Sequence, residues 1–288
     1  MSKVINPRIG IAFKKIFGVE ENKDILISFL NSIVCEYDQI NEVELLNPYN
    51  ENDFKKDSLV VLDLKAKNKH NGSRLLIEVQ LVDDKSYLKQ GLHSWTNVYS
   101  NQLITDGLNQ SISRVIVIHI LNFTLIDSSK TKKWKIQFVP KYYHEFSLRD
   151  RETGVEVFRD IEVHTLELKK FAINAVDLEG VIINIEKMLD QWMAFLTKHD
   201  LLDVENLPEA INVPEIKKAL NLIRDMHLSK NEKKIYNSQL DALHRCIVED
   251  KNKTGTKKKK ASIFEFTKSA VRNFIDFICM SFKSWLKF

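Results

Sequence analysis

Apolar and polar residues alternate along residues 58–81, SLVVLDLKAKNKHNGSRLLIEVQL, on both sides of an Asn71-Gly72 dipeptide. Alternation of this kind is typical of β-strands, and Asn-Gly favours a tight turn because both residues tolerate positive φ. The sequence therefore predicts an antiparallel hairpin with one face in the hydrophobic core. The predicted core face carries Leu62, Leu64, Ala66, Leu75, Ile77 and Val79.

The other face of this hairpin is polar and carries Asp63, Lys65, Glu78 and Gln80. A two-residue turn at the Asn-Gly dipeptide would pair Asp63 with Gln80, and Lys65 with Glu78. A longer turn would instead place Asp63 directly opposite Glu78. Both registers keep the polar residues on one face, so the predicted polar cluster does not depend on the turn length.

The segments around the hairpin predict the other elements of a mixed α/β fold. Before it, Asn6 and Pro7 supply an N-cap and a first-turn proline for a helix that ends at Gly18, and a second helix follows. After it, residues 86–106 predict an amphipathic helix, and RVIVIHILNF predicts a buried strand of the parallel type. Two more strands flank the turn-forming RETG, and the chain is helical from Asp177 onward.

Composition and charge are those of an ordinary globular protein. The 288 residues are 44% hydrophobic, and the net charge of +4 suits a polyanionic partner without requiring one. No signal-peptide pattern and no apolar run of roughly 18 residues appears, so we expect a cytoplasmic location. The three cysteines are far apart, and GxSxG, GxxxxGK[ST] and GxGxxG are absent. These features disfavour a disulfide framework, a serine hydrolase, an ATPase and a dinucleotide-binding fold.

Asp63 and Glu78 are carboxylates within apolar runs, and two interpretations explain them. In the first, they form salt bridges on a half-exposed hairpin, where one such pair contributes about 0.2–1 kcal/mol. In the second, Leu59 and Val61 desolvate Asp63, and buried carboxylates then need a cation between them. Mg²⁺ prefers hard oxygen ligands and commonly takes one or two carboxylates together with water and a substrate phosphate.

Several motifs follow one another in an order that resembles a known nuclease family. The pattern LDLKAKN…IEVQ resembles the D…(D/E)xK core of restriction-endonuclease-like enzymes. The other motifs are NPRIGIAFKKIFG, LLNPYNEND, YSNQL, VIVIHILNF, LRDRETG…IEVHTLELKKF and KNEKKIYNSQLDAL. Together they make the chain similar to the Rpn-type recombination-promoting nucleases, which are transposase-associated members of the PD-(D/E)XK nuclease family.

The resemblance implies a restriction-endonuclease-like α/β fold and a DNA endonuclease that hydrolyses phosphodiester bonds with Mg²⁺ or Mn²⁺. It implies that Asp63 and Glu78 bind the metal, and that Gln80 stands where related nucleases carry a catalytic lysine. It also places Lys14 and Lys15 beside the active face as candidate phosphate contacts, although lysines there equally suit the solvated side of a helix. DNA is then the partner, and a homo-oligomer is compatible with this assignment.

Gly10 departs from the family pattern, because the first helix of the family usually carries an acid two residues after the position of Arg8. The alternative function is therefore a catalytically attenuated DNA-binding protein of the same fold. A purely structural interaction module is the third interpretation. It is favoured by residues 257–288, whose apolar stripe follows consecutive lysines and suits docking on the protein, on a partner or on a membrane surface.

Three further polar residues have structural interpretations. His119 lies in an apolar strand, so we expect a core histidine with satisfied hydrogen bonds, and no histidine is assigned chemistry. Tyr99 and Gln102 match a helix motif of the family and lie one turn apart, which would allow both to face the site. Tyr99 also lies on the apolar stripe of its helix, which favours core packing.

The chain divides into three predicted regions. A PD-(D/E)XK nuclease-like core covers residues 1–170, and a helical region covers residues 171–250. A basic linker and an amphipathic tail helix cover residues 251–288.

Overall fold

The computed structural model describes residues 4–50, 62–81, 87–105, 112–126, 141–173 and 177–245. The chain divides into two compact units, residues 1–240 and 241–288. The predicted linker and tail helix over residues 251–288 lie outside the described residues. Within the described part of the chain, no helix is both long enough and apolar enough to cross a membrane.

A mixed six-stranded sheet forms the centre of the protein, with the strand order β1-β2-β3-β4-β6-β5. The strands β1, β2 and β3 pair antiparallel, β3, β4 and β6 pair parallel, and β5 pairs antiparallel with β6. This topology confirms the predicted α/β fold class. The strands are β1 Val43–Leu45, β2 Leu62–Asn68, β3 Arg74–Gln80, β4 Val115–Leu121, β5 Tyr143–Ser147 and β6 Ile161–Glu167.

Most helices follow the predicted order, although the first one begins later than predicted and a short helix, Leu168–Ile173, lies in a segment that was predicted as strand. Ile9 is the N-cap residue of α1. The side-chain Oδ1 of Asn6 accepts a hydrogen bond from the Arg8 backbone N at 3.1 Å. The predicted N-cap at Asn6 is therefore wrong, because Asn6 closes the turn before the helix. The helices are α1 Gly10–Phe17, α2 Lys23–Asn31, α3 Tyr87–Thr105, α4 Leu168–Ile173, α5 Leu178–Ile183, α6 Met188–Lys198, α7 Pro214–Asp225 and α8 at 230–245.

The β2–β3 turn is longer than the predicted two residues. The Asn68 backbone N donates to Ser73 O at 2.9 Å, which leaves residues 69–72 in the loop. Gly72 has φ 76° as predicted, but no residue other than glycine in the described chain has positive φ, so Asn71 does not form the expected turn. The Asn71 side chain instead accepts a hydrogen bond from Ser73 N at 3.0 Å, as in an Asx turn, which stabilises the longer loop.

The longer turn changes the pairing of the hairpin. Asp63 pairs with Glu78, and Lys65 pairs with Leu76. The pairing of Asp63 with Gln80 and of Lys65 with Glu78 is therefore wrong, and the longer-turn alternative is confirmed. The predicted core face is confirmed at its five described side chains, which are buried in the main core: Leu64, Ala66, Leu75, Ile77 and Val79.

The sheet lies between two layers of helices. On one face, residues of α1, α2, α6 and α7 share a single core with the sheet, and the buried Trp192 ring lies 5.6 Å from Phe17 and 5.8 Å from Phe29. On the other face, Trp95 and Tyr99 of α3 pack against residues of β3, β4 and β6. The helices after residue 170 thus contribute to the core of the sheet. Whether residues 1–170 and 171–250 are separate folding domains stays a prediction.

Candidate functional site

A row of polar residues crosses the sheet near the carboxyl ends of β3 and β4. Backbone pairing aligns Asp63 with Glu78, Glu78 with His119, and His119 with Thr165. Directly opposed residues on neighbouring strands share a sheet face. Leu76 lies two residues before Glu78 and Val117 two residues before His119, so each pair shares a sheet face. Leu76 and Val117 pack against α3, and the row therefore lies on the face that α3 covers. For Asp63, the structure describes the backbone only.

Glu78 is a buried carboxylate beside a buried histidine. The residue is 4% exposed, and its Oε2 lies 3.1 Å from Nδ1 of His119, which is also 4% exposed. The carboxylate thus has a nitrogen on one side and the position of Asp63 on the other. Sequence reasoning treated His119 as a core residue and missed this contact. The available signal was the single polar residue within an apolar parallel strand.

Gly91 of α3 allows the helix to lie against the His119 ring. A Cβ atom added at Gly91 would lie 2.9 Å from His119 Cε1 and 3.1 Å from Nε2. Distances below about 3 Å do not occur between such atoms without movement of the ring or the helix. The small residue on α3 therefore contributes to the position of His119 beside Glu78.

Gln80 ends β3 two residues after Glu78, on the same sheet face. The residue is 8% exposed, and its backbone O accepts a hydrogen bond from Asn122 N at 3.0 Å. Asn122 follows β4, so this bond joins the carboxyl ends of the two central strands. An amide at this position can donate and accept hydrogen bonds but carries no charge.

The match to a family model is decisive for the assignment of the chain. The model of the PD-(D/E)XK nuclease family transposases matches residues 7–249, which is most of the chain. The chain belongs to this family. Searches of curated proteins and of solved structures returned no match. Family membership confirms the predicted resemblance, and the six-stranded mixed sheet flanked by helices is consistent with the PD-(D/E)XK fold.

PD-(D/E)XK nucleases typically use divalent metal ions, and the residue types at this site fit such an ion. Glu78 supplies hard oxygen donors, and Asp63 occupies the opposite strand position. Mg²⁺ needs one or two carboxylates when water and substrate phosphate supply its other ligands. Among the described side chains, no group of three or more His, Cys, Asp or Glu residues could hold a metal by itself. A two-carboxylate site completed by water and phosphate is the arrangement that the residues permit.

Lys14 and Lys15 belong to α1, which packs on the sheet face opposite α3. Lys14 is 5% exposed. Lys15 Nζ lies 2.5 Å from Glu232 Oε1 and donates to His227 O at 3.3 Å. The described contacts thus place Lys15 in an ion pair with α8, and phosphate binding by these two lysines stays a prediction.

Tyr99 and Gln102 make structural contacts on α3. The Tyr99 ring stacks on Trp95 at 4.9 Å, which agrees with its predicted core packing, and its hydroxyl donates to Asp160 at 3.0 Å. The Gln102 amide bonds the backbone N and O of Ser113, both at 2.9 Å. These contacts join α3 to the residues that precede β4.

A second buried polar cluster lies on the opposite face of β6, at the other end of the parallel strands. His164 Nε2 lies 2.6 Å from Glu162 Oε1, and Arg114 forms ion pairs with both Glu162 and Asp38. Burial alone would raise the pKa of Glu162, but the hydrogen bond to His164 and the charges of His164 and Arg114 together lower it. Glu162 thus has its own partners in Arg114 and His164 and serves as a buried carboxylate for comparison with Glu78.

Proposed function

We propose that this protein is a metal-dependent DNA endonuclease whose active site contains Asp63, Glu78 and Gln80. The observation that carries the proposal is the backbone pairing of Asp63 with Glu78 at the carboxyl edge of β3, with Gln80 two residues further on the same face. Membership of a nuclease family supports the same assignment. The proposed substrate is DNA, and the proposed location is the cytoplasm.

The two carboxylates have the role of metal ligands in this proposal. A bound Mg²⁺ or Mn²⁺ ion would neutralise phosphate charge and lower the pKa of a coordinated water. Glu78 is held for this role by the sheet backbone and by the His119 ring, whose Nδ1 is 3.1 Å from Oε2. A group that lies behind a metal ligand in this way commonly helps to orient the ligand.

Gln80 has the role of orienting a water or a phosphate oxygen. Its amide offers both a donor and an acceptor, whereas the lysine implied by the family pattern would offer charge. Because Gln80 cannot stabilise negative charge as strongly as lysine, we expect a slower reaction than a lysine at this position would allow. Because Gln80 lies two residues after Glu78, its amide would contact water or phosphate bound at the same edge of the sheet.

The second candidate function is an attenuated DNA-binding protein of the same fold. The observation that favours it is the first turn of α1, which begins at the buried Gly10 and contains no acid. Without this carboxylate, the site has fewer groups to bind a metal or to position water. DNA would then bind to the protein through phosphate contacts but would not be cut.

A plasmid-nicking assay separates these two functions. The purified wild-type protein is incubated with supercoiled plasmid at low salt in Mg²⁺, Mn²⁺, Ca²⁺ or EDTA, because phosphate contacts weaken as salt rises. We expect nicking in Mg²⁺ or Mn²⁺ and none in EDTA. Nicking in EDTA would contradict the metal-dependent mechanism, whereas DNA binding without nicking in any metal would favour the attenuated protein.

Variants of Asp63 and Gln80 test the individual roles. Asp63→Asn should reduce nicking by at least ~10²-fold, comparable to the loss of one preorganised electrostatic group, while DNA binding persists. Gln80→Lys should maintain or increase the rate, and Gln80→Ala should decrease it. Equal rates for the wild type, Asp63→Asn and Gln80→Ala would remove these residues from the mechanism. Circular dichroism and thermal unfolding of each variant provide the folding control.

A further inference from the structure

Arg8 is a partly buried cation that forms no ion pair with the acids of the described residues. Its Nη1 donates to Asn122 Oδ1 at 3.2 Å, and its Nε donates to Asn6 Oδ1 at 3.3 Å. Both acceptors are neutral amides, and no acid in the described part of the chain lies within ion-pair distance. Burial lowers the pKa of Arg8, and the more distant Asp200 raises it. A desolvated guanidinium of this kind is stabilised by an anion.

Asn122 presents a donor without an acceptor next to Arg8. The residue is 3% exposed, and its Oδ1 is identified as the oxygen because it accepts from Arg8, which can only donate. Its Nδ2 is buried and has no hydrogen-bond partner among the described residues. Buried amide donors nearly always have a partner, so this one indicates an acceptor that the described residues do not provide.

His199 and the amino terminus of α1 add to the same environment. His199 is 8% exposed, its Nδ1 has no partner in the described chain, and the Arg8 charge acts on its ring. The α1 helix begins two residues after Arg8, with no side-chain cap and no acid in its first turn. The first N–H groups of a helix carry partial positive charge and bind anions.

The groups that converge here favour one class of ligand. The Arg8 guanidinium, the Asn122 amide NH₂ and the first turn of α1 are hydrogen-bond donors, which excludes a metal cation and favours an oxyanion. The backbone N of Asn122 also donates to Gln80 O at 3.0 Å, so the segment after β4 is joined to the end of the strand that carries Gln80. A phosphoryl group is tetrahedral and has several acceptor oxygens, which suits donors that approach from different elements.

We propose that Arg8, Asn122 and the first turn of α1 form a phosphate-binding site that holds a phosphate of the bound DNA. The DNA assignment rests on the proposed function, whereas the oxyanion site itself does not. An internal phosphodiester and a terminal phosphate share this chemistry. Sequence reasoning did not find the site, because Arg8 and Asn122 are far apart in the chain and meet only in the folded protein.

Binding of inorganic phosphate tests the site without reference to cleavage. The thermal unfolding of the full chain is measured in increasing phosphate at constant ionic strength, with chloride as the reference. We expect phosphate to stabilise the wild type, and Arg8→Gln to weaken the apparent affinity by ~10-fold or more, as the loss of a charge-assisted hydrogen bond implies. Arg224→Gln is the matched control, because Arg224 is an exposed arginine paired with Glu205 and Asp225.

Asn122→Asp keeps the test decisive if Arg8→Gln fails to fold. An aspartate at this position would pair with Arg8 directly and repel a phosphate, so this variant should be folded and should lose the phosphate effect. Retention of the wild-type phosphate effect in Asn122→Asp, or equal phosphate and chloride effects on the wild type, would overturn the proposal. Loss of the effect in the Arg224→Gln control would also overturn it.

DNA binding in EDTA distinguishes the two sources of the phosphate. Fluorescence anisotropy is measured with a duplex of about 20 base pairs, with and without a 5′-phosphate, and Arg8→Gln should reduce the salt dependence of binding by about one phosphate contact. If Arg8→Gln loses the same affinity for both duplexes, the site binds an internal phosphodiester. A loss restricted to the phosphorylated duplex contradicts that source and assigns the site to a terminal phosphate. Phosphate binding without nicking would leave this site intact and remove the endonuclease proposal.

Discussion

The protonation of His199 should make the protein less stable in mild acid. His199 lies at the C-cap of α6 and is 8% exposed. Desolvation first, and the Arg8 charge second, lower its pKa from 6.5 to about 4. Because the unfolded chain binds this proton at a higher pH than the folded protein, stability falls as the pH decreases from about 6.5 to about 4 and then levels off.

The size of this effect follows from the pKa difference. Each pKa unit corresponds to about 1.4 kcal/mol, so the full contribution is about 3 kcal/mol, most of which is lost by about pH 4.5. Urea unfolding at pH 7.5 and 4.5 measures the free energy of unfolding for the wild type and for His199→Gln. We expect the pH-dependent loss to be about 2–3 kcal/mol smaller in His199→Gln, because carboxylate contributions are shared by both proteins.

Equal pH dependence in the wild type and His199→Gln would refute the reasoning about His199. A direct NMR titration of the His199 ring supplies the independent measurement. Since the Arg8 charge contributes to the low pKa, Arg8→Gln should move the pKa of His199 toward 6.5. An unchanged pKa in that variant would show that Arg8 does not act on the ring.

Three further predictions concern the stability of the fold and of the site. Gly72→Ala and Gly154→Ala should each cost about 1 kcal/mol by urea unfolding, because both glycines have positive φ; no loss at either position would exclude backbone strain. Gly91→Ala should destabilise the protein and change the NMR signals of His119, whose ring is 2.9 Å from the added Cβ, and unchanged signals would contradict this contact. Trp192→Ala should cost about 3–5 kcal/mol because the fully buried ring leaves a large cavity, and a cost below about 1 kcal/mol would show that the core collapses around it.

Local patterns were sufficient to predict the two faces of the hairpin, but not its register. Alternation along the strands predicts that Leu64 and Ile77 are buried, since it depends only on the period of a β-strand. The register depends on the turn, where the side chain of Asn71 stabilises a four-residue loop in place of the expected two-residue turn. The shared face of Asp63 and Glu78 was predictable because it is the same in either register.

Contacts between distant segments were the part that the sequence could not provide. The position of His119 beside Glu78 depends on the parallel register of β3 and β4, which no local pattern specifies. The contact between Arg8 and Asn122 likewise requires the folded sheet and the approach of α1 to its edge. The assignment of Asp63, Glu78 and Gln80 depended on the order of family motifs, because isolated acids in strands also form ordinary salt bridges.

The most direct test of the proposed active site compares two buried glutamates of the same sheet. Single-turnover nicking of plasmid in Mg²⁺ is measured for the wild type, Glu78→Gln and Glu162→Gln, with thermal unfolding of each protein as the folding control. Glu162 lies on the opposite face of the sheet, in an ion pair with Arg114 and 2.6 Å from Nε2 of His164. We predict that Glu78→Gln lowers the rate by at least ~10²-fold while Glu162→Gln stays within a few-fold of the wild type. Wild-type nicking by a folded Glu78→Gln protein would contradict the proposed active site.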